Sequence, residues 1–132
     1  MNLLLDTHIW LWSHLEPERL SRRVTAALLA EDSQLWLSPV SVWELLLLAE
    51  RDRVQVKQGS AAAWAEDALT RVPMHDAALT REVALRRRTV RLGHQDPADR
   101  FLAATAAVYE LTLVTADERL LKGRGFRTLA NR

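Results

Sequence analysis

Short apolar runs alternate with longer segments of helical periodicity along the 132-residue chain. The short runs predict a sheet of four to five strands, at residues 2–5, 34–38, 71–75, 111–115 and 125–129. Between them the pattern predicts helices over residues 7–14, 20–30, 40–54, 60–69, 76–88, 96–110 and 116–122. Strands that alternate with helices, without Asn-Gly hairpin signals, pair in parallel through right-handed crossovers. We therefore expect one α/β domain over residues 1–132, with a central parallel sheet flanked by helices.

The composition is that of a soluble globular protein, with 48% hydrophobic and 27% charged residues. No apolar stretch approaches the roughly 20 residues of a membrane span. The opening "MNLLLDTHIWLW" carries an acid and a histidine inside its apolar run, which indicates a first strand rather than a signal peptide. The absence of cysteine excludes disulfides and thiolate metal sites. Together these features predict a cytoplasmic protein without membrane contact.

Four acidic residues lie where an apolar run stops or a helix-like run begins: Asp6, Glu44, Asp99 and Asp117. The carboxyl ends of parallel strands meet at one edge of a sheet, which is where such folds bind ligands. Four carboxylates gathered there repel one another unless a cation lies among them, and oxygen-only ligands suit Mg²⁺ or Mn²⁺. The four acids therefore predict a metal-dependent enzyme.

Helix capping is the competing interpretation of each acid. Three groups have capping spacing: Asp96–Pro97–Asp99, Ser41 with Glu44, and Thr115 with Glu118. Asp6 fits this interpretation least well, because it ends a strand that should be central, where an unpaired carboxylate is costly. Glu44 is the next exception, since it lies among apolar residues and needs a partner there. Taken together, the four positions favour a site over four separate caps.

The motifs "LLLDTH", "SPVSVWEL", "HQDPADRFLAATA" and "LVTAD" occur in this order along the chain. In order and spacing they resemble the PIN-domain ribonucleases, in particular the VapC-type toxins of bacterial toxin–antitoxin pairs, over almost the whole chain. The resemblance implies a PIN-like three-layer α/β fold and metal-dependent hydrolysis of RNA. It also implies that Asp6, Glu44, Asp99 and Asp117 are the catalytic residues and hold Mg²⁺ or Mn²⁺. The implied partners are an RNA substrate and a cognate antitoxin protein.

The roles of four neighbouring residues stay open at this point. Asp96 belongs to the "DPxD" form of the motif, as a helix cap or as a further acid near the metal. The resemblance implies that Thr115 helps to hold the metal or its water. His8 orients a carboxylate, contacts a phosphate or is a partly buried helix-start residue. Arg100 either faces phosphate or pairs with Asp96.

Two features point to an interface and a third to nucleic acid. Trp10 and Trp12 are two residues apart, so they cannot share one helix face. The run "WELLLLAE" places apolar residues all round a helix. Both patterns fit either a buried core helix or an interface, namely a homodimer or an antitoxin groove. Basic clusters in "ERLSRR", "REVALRRRTVR" and "KGRGFR" suit an RNA backbone or a solvated surface.

Other classes of protein account less well for the pattern. Phosphatases of the haloacid dehalogenase type need a second aspartate two residues after the first, where this chain has His8. Receiver domains need an acidic pair near the start, whereas the acids here are spread over four junctions. A PIN-fold module that binds protein or RNA without catalysis remains the alternative function.

Overall fold

The computed structural model describes residues 1–56 and 59–132, which form a five-stranded parallel sheet covered by helices. The strands are β1 (Asn2–Leu5), β2 (Gln34–Leu37), β3 (His75–Asp76), β4 (Thr112–Thr115) and β5 (Arg127–Ala130). The helices are α1 (Thr7–Leu15), α2 (Arg22–Leu29), α3 (Pro39–Glu50), α4 (Ala61–Arg71), α5 (Arg81–Arg86), α6 (Pro97–Val108) and α7 (Glu118–Leu121), with 3-10 turns at Pro17–Arg19 and Arg87–Thr89. Among the described residues, no helix has the length and apolarity needed to cross a membrane. The predicted α/β fold is confirmed.

The strands lie in the order β3-β2-β1-β4-β5, so the chain winds outward from β1 in both directions. Leu4 of β1 lies opposite Trp36 of β2, and Leu5 of β1 lies opposite Val114 of β4. Where the winding direction of a parallel sheet reverses, the connections leave on opposite faces and a crevice opens at the carboxyl ends of the two strands. In this fold that crevice lies beside β1 and β4.

Both faces of β1 are buried in hydrophobic clusters. Leu3 and Leu5 pack on one face with Trp10 and Trp64, whereas Leu4 points to the other face. There it packs in a second cluster that includes Leu102, Leu111, Leu113 and Leu120. Successive side chains of a strand point to opposite faces, so an uninterrupted apolar run is what a doubly covered strand requires. The core therefore holds the carboxyl end of β1 firmly in place.

Two helix starts follow the predicted signals. Ser38 precedes α3, and its Oγ accepts a hydrogen bond from the Val40 N–H at 3.0 Å. Asp96 precedes α6, and its Oδ1 accepts from the N–H groups of Ala98 at 2.9 Å and Asp99 at 3.3 Å. A proline follows each cap, where its missing N–H costs nothing.

Two of the three groups that were considered as helix caps do not cap a helix. Ser41 and Glu44 lie inside α3, which has already begun at Pro39, so neither is at a helix end. Thr115 ends β4, and Asp117 itself caps α7 by accepting from the Arg119 N–H at 2.8 Å. Glu44 therefore has no capping role.

The predicted helix over residues 76–88 begins too early. Asp76 pairs with Leu37 in the edge strand β3, and the Ala77 N–H donates to the Leu37 carbonyl at 2.9 Å. The backbone of Asp76 is thus committed to the sheet and cannot start a helix. Instead Thr80 caps α5, and its Oγ1 accepts from the Val83 N–H at 3.2 Å. The third strand was predicted at residues 71–75, but β3 begins only at His75 and ends at Asp76.

Candidate active site

The four predicted acids lie around the crevice beside β1 and β4. Asp6 follows β1 directly, and Asp117 follows β4 after one intervening residue. Glu44 projects from α3, which leaves the carboxyl end of β2, and Asp99 lies in the first turn of α6. We call these four residues the acid cluster.

Asp6 is buried, and both of its carboxylate oxygens are fixed by hydrogen bonds. Oδ1 accepts from the Thr7 N–H at 2.8 Å, so Asp6 also caps α1. Oδ2 accepts from the Thr115 hydroxyl at 2.6 Å. The same Thr115 oxygen accepts from the Asp117 N–H at 3.0 Å. Thr115 thus joins the carboxyl ends of the two central strands.

Glu44 is held by a hydroxyl group from the neighbouring helix. The Thr7 hydroxyl donates to Glu44 Oε1 at 2.5 Å and lies 3.1 Å from the Ser41 hydroxyl. Thr7 and Ser41 are both buried, so these groups depend on one another for hydrogen bonding. Thr7 therefore links Glu44 to Asp6, because its N–H and its hydroxyl serve one acid each.

Asp99 is buried and contacts a histidine from the preceding loop. His94 Nε2 lies 2.7 Å from Asp99 Oδ2. The Arg100 guanidinium contacts the same loop, where its Nη2 donates to the His94 carbonyl at 2.8 Å. The considered pairing of Arg100 with Asp96 is therefore absent from the described contacts, and Arg100 supports the loop that carries His94.

Asp117 is paired with an arginine two residues further along the chain. Arg119 Nε lies 3.3 Å from Asp117 Oδ1, and Arg119 Nη2 lies 3.0 Å from Asp117 Oδ2. The same Nη2 is 3.8 Å from Asp99 Oδ2. Arg119 thus joins Asp117 to Asp99 and completes a chain of contacts that runs through all four acids.

The pKa values show that the acids act on one another. Burial raises the pKa of Glu44 to about 7, and the charges of Asp6, Asp99 and Asp96 add to the rise against the Thr7 hydrogen bond. Burial likewise raises the pKa of Asp6, with a further contribution from Asp99. Burial also raises the pKa of Asp99, with contributions from Asp96 and Asp117. The hydrogen bond from Arg119 instead lowers the pKa of Asp117. Carboxylates that repel one another in this way favour a cation between them.

The donor atoms of the cluster fit a hard divalent cation. They are carboxylate oxygens, with the hydroxyl groups of Thr7 and Thr115 beside them, and such oxygens suit Mg²⁺ or Mn²⁺. Within residues 1–56 and 59–132, no three His, Asp or Glu side chains are close enough to hold a metal ion as they stand. Metal binding by the cluster therefore stays a prediction.

Three contacts of the site were not predicted from the sequence: Thr7 with Glu44, His94 with Asp99, and Arg119 with Asp117 and Asp99. Thr7 had a local signal, since it follows Asp6 at the start of a helix, and Arg119 had one in the Asp-x-Arg spacing. His8 was considered as a partly buried residue, but it is exposed and lies against Trp12, with ring centroids 5.7 Å apart. Its position at the outward-facing start of α1 explains the difference.

We expect the metal-free protein to be stabilised by Glu44→Gln, and increasingly so as pH rises. The pKa of Glu44 is about 7 in the folded protein against an ordinary 4.5, so the folded state binds the proton more tightly. Ionisation of Glu44 therefore opposes folding: the cost is absent below pH 4.5, grows with pH, and is complete above about pH 7. After a discount for its partial exposure, the variant should gain about 1–2 kcal/mol at pH 8.

Urea unfolding in the presence of a chelator, at pH 5 and pH 8 for example, measures this gain. Glu50→Gln is the matched control, because Glu50 ends the same helix in solvent. Its stability should follow that of the unmodified protein at both pH values. A Glu44→Gln gain that is equal at both pH values would contradict the assigned cause.

Comparison with known proteins assigns the chain to a family. The family model of the PIN domain matches residues 3–125, so the chain belongs to the PIN-domain family. Within it, the chain is 33% identical over 123 residues to Ribonuclease VapC22 of Mycobacterium tuberculosis (strain ATCC 25618 / H37Rv), covering 92% of each protein. The predicted resemblance to VapC-type PIN ribonucleases is confirmed.

Solved structures share the fold at lower identity. VapBC2 from Rickettsia felis, bound to a DNA fragment from its promoter, gives a TM-score of 0.71 at 17% identity over 98% of both chains. DNA-bound VapBC from Salmonella typhimurium gives a TM-score of 0.65 at 21% identity, also over 98% of both chains. FitAB bound to the IR36 DNA fragment gives a TM-score of 0.65 at 22% identity, over 98% of this chain and 94% of the other.

Proposed function

We propose that this protein is a metal-dependent endoribonuclease and the toxin of a toxin–antitoxin pair. The observation that carries the proposal is the chain of contacts through Asp6, Glu44, Asp99 and Asp117 at the β1–β4 crevice of a PIN domain. The relative named as a ribonuclease supports hydrolysis of RNA. We further propose that residues 1–132 are a single PIN domain.

The acid cluster would hold Mg²⁺ or Mn²⁺, directly or through bound water. When bound, the ion supplies a water of lowered pKa and a positive charge against the phosphate oxygens. The chain's own part is to orient the ligands. Thr115 and the Thr7 N–H fix the two oxygens of Asp6, and the Thr7 hydroxyl fixes Glu44. His94 holds Asp99 through Oδ2 and leaves its other oxygen without a described side-chain partner.

RNA would be positioned by arginines through its backbone, which carries no sequence information. Four exposed arginines lie on and after α5, namely Arg81, Arg87, Arg88 and Arg91, and Arg86 between them is half-buried. A folded or single-stranded element of the RNA would supply the identity of the cleavage site.

Cleavage of RNA by the purified chain tests the enzymatic proposal. We expect cellular RNA to be cut when Mg²⁺ or Mn²⁺ is present and to stay intact in excess chelator, with activity restored by adding the ion back. Persistent cleavage in chelator would contradict the metal requirement. RNA binding without cleavage under any of these conditions would favour the alternative, a catalytically inactive PIN-fold binding module.

We propose that the partners include a cognate antitoxin and a second copy of this chain. The structural neighbours are VapBC and FitAB complexes, which supports an antitoxin partner. Trp10 is buried and Trp12 is half-buried beneath Arg19, so neither forms an exposed aromatic surface on α1. Trp43 of α3 does project into solvent, with 55% of its surface exposed. This exposure supports a partner surface on the apolar helix α3. We also propose a cytoplasmic location.

A further inference from the structure

Arg119 contacts two members of the acid cluster, Asp117 and Asp99. It belongs to the first turn of α7, where its guanidinium pairs with both oxygens of Asp117, at 3.3 and 3.0 Å. Its Nη2 also lies 3.8 Å from Asp99 Oδ2. A guanidinium paired with a carboxylate through two nitrogens has a well-defined direction as well as a charge. Arg119 thus contacts both carboxylate oxygens of Asp117 and lies near one carboxylate oxygen of Asp99, Oδ2.

Arg119 is also the cluster's permanently charged partner. In the part of the chain that the structure describes, the ion pairs of the four acids involve two residues, Arg119 and His94. His94 carries a charge only when it is protonated, whereas an arginine is charged at every relevant pH. The guanidinium therefore balances part of the negative charge that a divalent ion would balance.

The hold of Arg119 on these oxygens is weak enough to be exchanged. Its side chain is 59% exposed, so its charge is well solvated. Exposed ion pairs contribute little net free energy, because water competes with the partner and a long side chain must be ordered. A divalent ion that takes the same oxygens would meet no large barrier to displacing the guanidinium into solvent.

We infer that Arg119 is a resident counter-cation that competes with the divalent metal for Asp99 and Asp117. The inference rests on the proposed metal-dependent function and adds a determinant of metal affinity to it. An ion bound to Asp117 cannot share its oxygens with the guanidinium, because Arg119 contacts both of them. Metal binding therefore requires Arg119 to swing away, and loss of Arg119 removes both the competitor and its repulsion of the ion.

Calorimetric titration of the RNA-free protein with Mn²⁺ alone tests the inference. Arg119→Ala and Arg119→Gln should each bind Mn²⁺ about three- to tenfold more tightly than the unmodified protein, the range expected for removing one exposed charge. Arg132→Ala is the matched control. The Arg132 side chain is 67% exposed, close to the 59% of Arg119, and it pairs at 3.0 Å with Glu118 of α7 without a described contact to the acid cluster. Its affinity for Mn²⁺ should be unchanged.

The outcomes separate this inference from the proposed function. If the unmodified protein binds Mn²⁺ and Asp99→Asn does not, the metal site stands, and unchanged or weaker binding by either Arg119 variant overturns the competition. Equal gains in the Arg119 and Arg132 variants would also overturn it, because they would reflect net charge alone. If the unmodified protein binds no Mn²⁺, both the metal site and the competition fail.

Discussion

Asp6→Asn is expected to lower the rate of RNA cleavage by about 10²- to 10³-fold, the range for losing one preorganised electrostatic group. Asparagine keeps the size of the side chain and caps helices as well as aspartate does, so α1 should still begin at Thr7. The substitution removes the charge of a buried carboxylate whose pKa burial already raises. Asparagine has a single acceptor oxygen, so one of the two hydrogen bonds from Thr7 and Thr115 is lost, which offsets the relief of charge. The metal-free variant should therefore be about as stable as the unmodified protein.

Cleavage rates at saturating Mg²⁺, together with thermal unfolding in chelator, measure both expectations. Asp96→Asn is the matched control, since Asp96 caps α6 and is exposed. It should keep most of its activity. Activity retained by Asp6→Asn would remove Asp6 from the catalytic residues. A loss of stability large enough to account for the loss of activity would assign Asp6 a structural role.

Trp10→Ala is expected to cost about 3–5 kcal/mol of unfolding free energy, the range for truncating a large aromatic side chain in a core. Trp10 is fully buried, and its ring centroid lies 5.5 Å from that of Trp64 and 6.4 Å from that of His14. Its Nε1–H has no described partner, so the loss should lie toward the lower end of the range. For a domain of this size the melting temperature should fall by about 10 °C.

Urea unfolding followed by circular dichroism gives this free energy. Trp43→Ala is the matched control, because it removes the same side chain from a position that is 55% exposed. Its stability should change by no more than about 0.5 kcal/mol. Equal losses in the two variants would show that Trp10 does not anchor the core.

The strands β1, β2 and β4 and the positions of the four acids were predictable because they depend on local patterns. The apolar run at residues 3–5 is typical of a doubly buried strand, and Asp6 follows it. The start of α5 was not predictable in this way. Asp76 has a good capping side chain, but the sheet uses its backbone through pairing with Leu37. Strand pairing at an edge depends on residues far away in sequence, and a local pattern does not contain it.

The hydrogen bonds within the site were harder to predict than the identity of the residues that form it. Thr115 and Asp6 are 109 residues apart in sequence, and Thr7 and Ser41 are 34 residues apart. Such hydroxyl contacts depend on how two helices and two strands are placed, to within a fraction of an ångström. The pairing of His94 with Asp99 depends likewise on the path of a loop, whose fold Arg100 supports through the His94 carbonyl.

The hydrogen bond from Thr115 to Asp6 has a consequence for how the protein is made. Because 109 residues separate its two ends, a nascent chain on the ribosome has synthesised Asp6 long before the strand that completes its surroundings. Pairing between such distant segments also forms late in folding, since a long loop must close first. A growing polypeptide therefore lacks the assembled cluster until β4 has been synthesised and has joined β1.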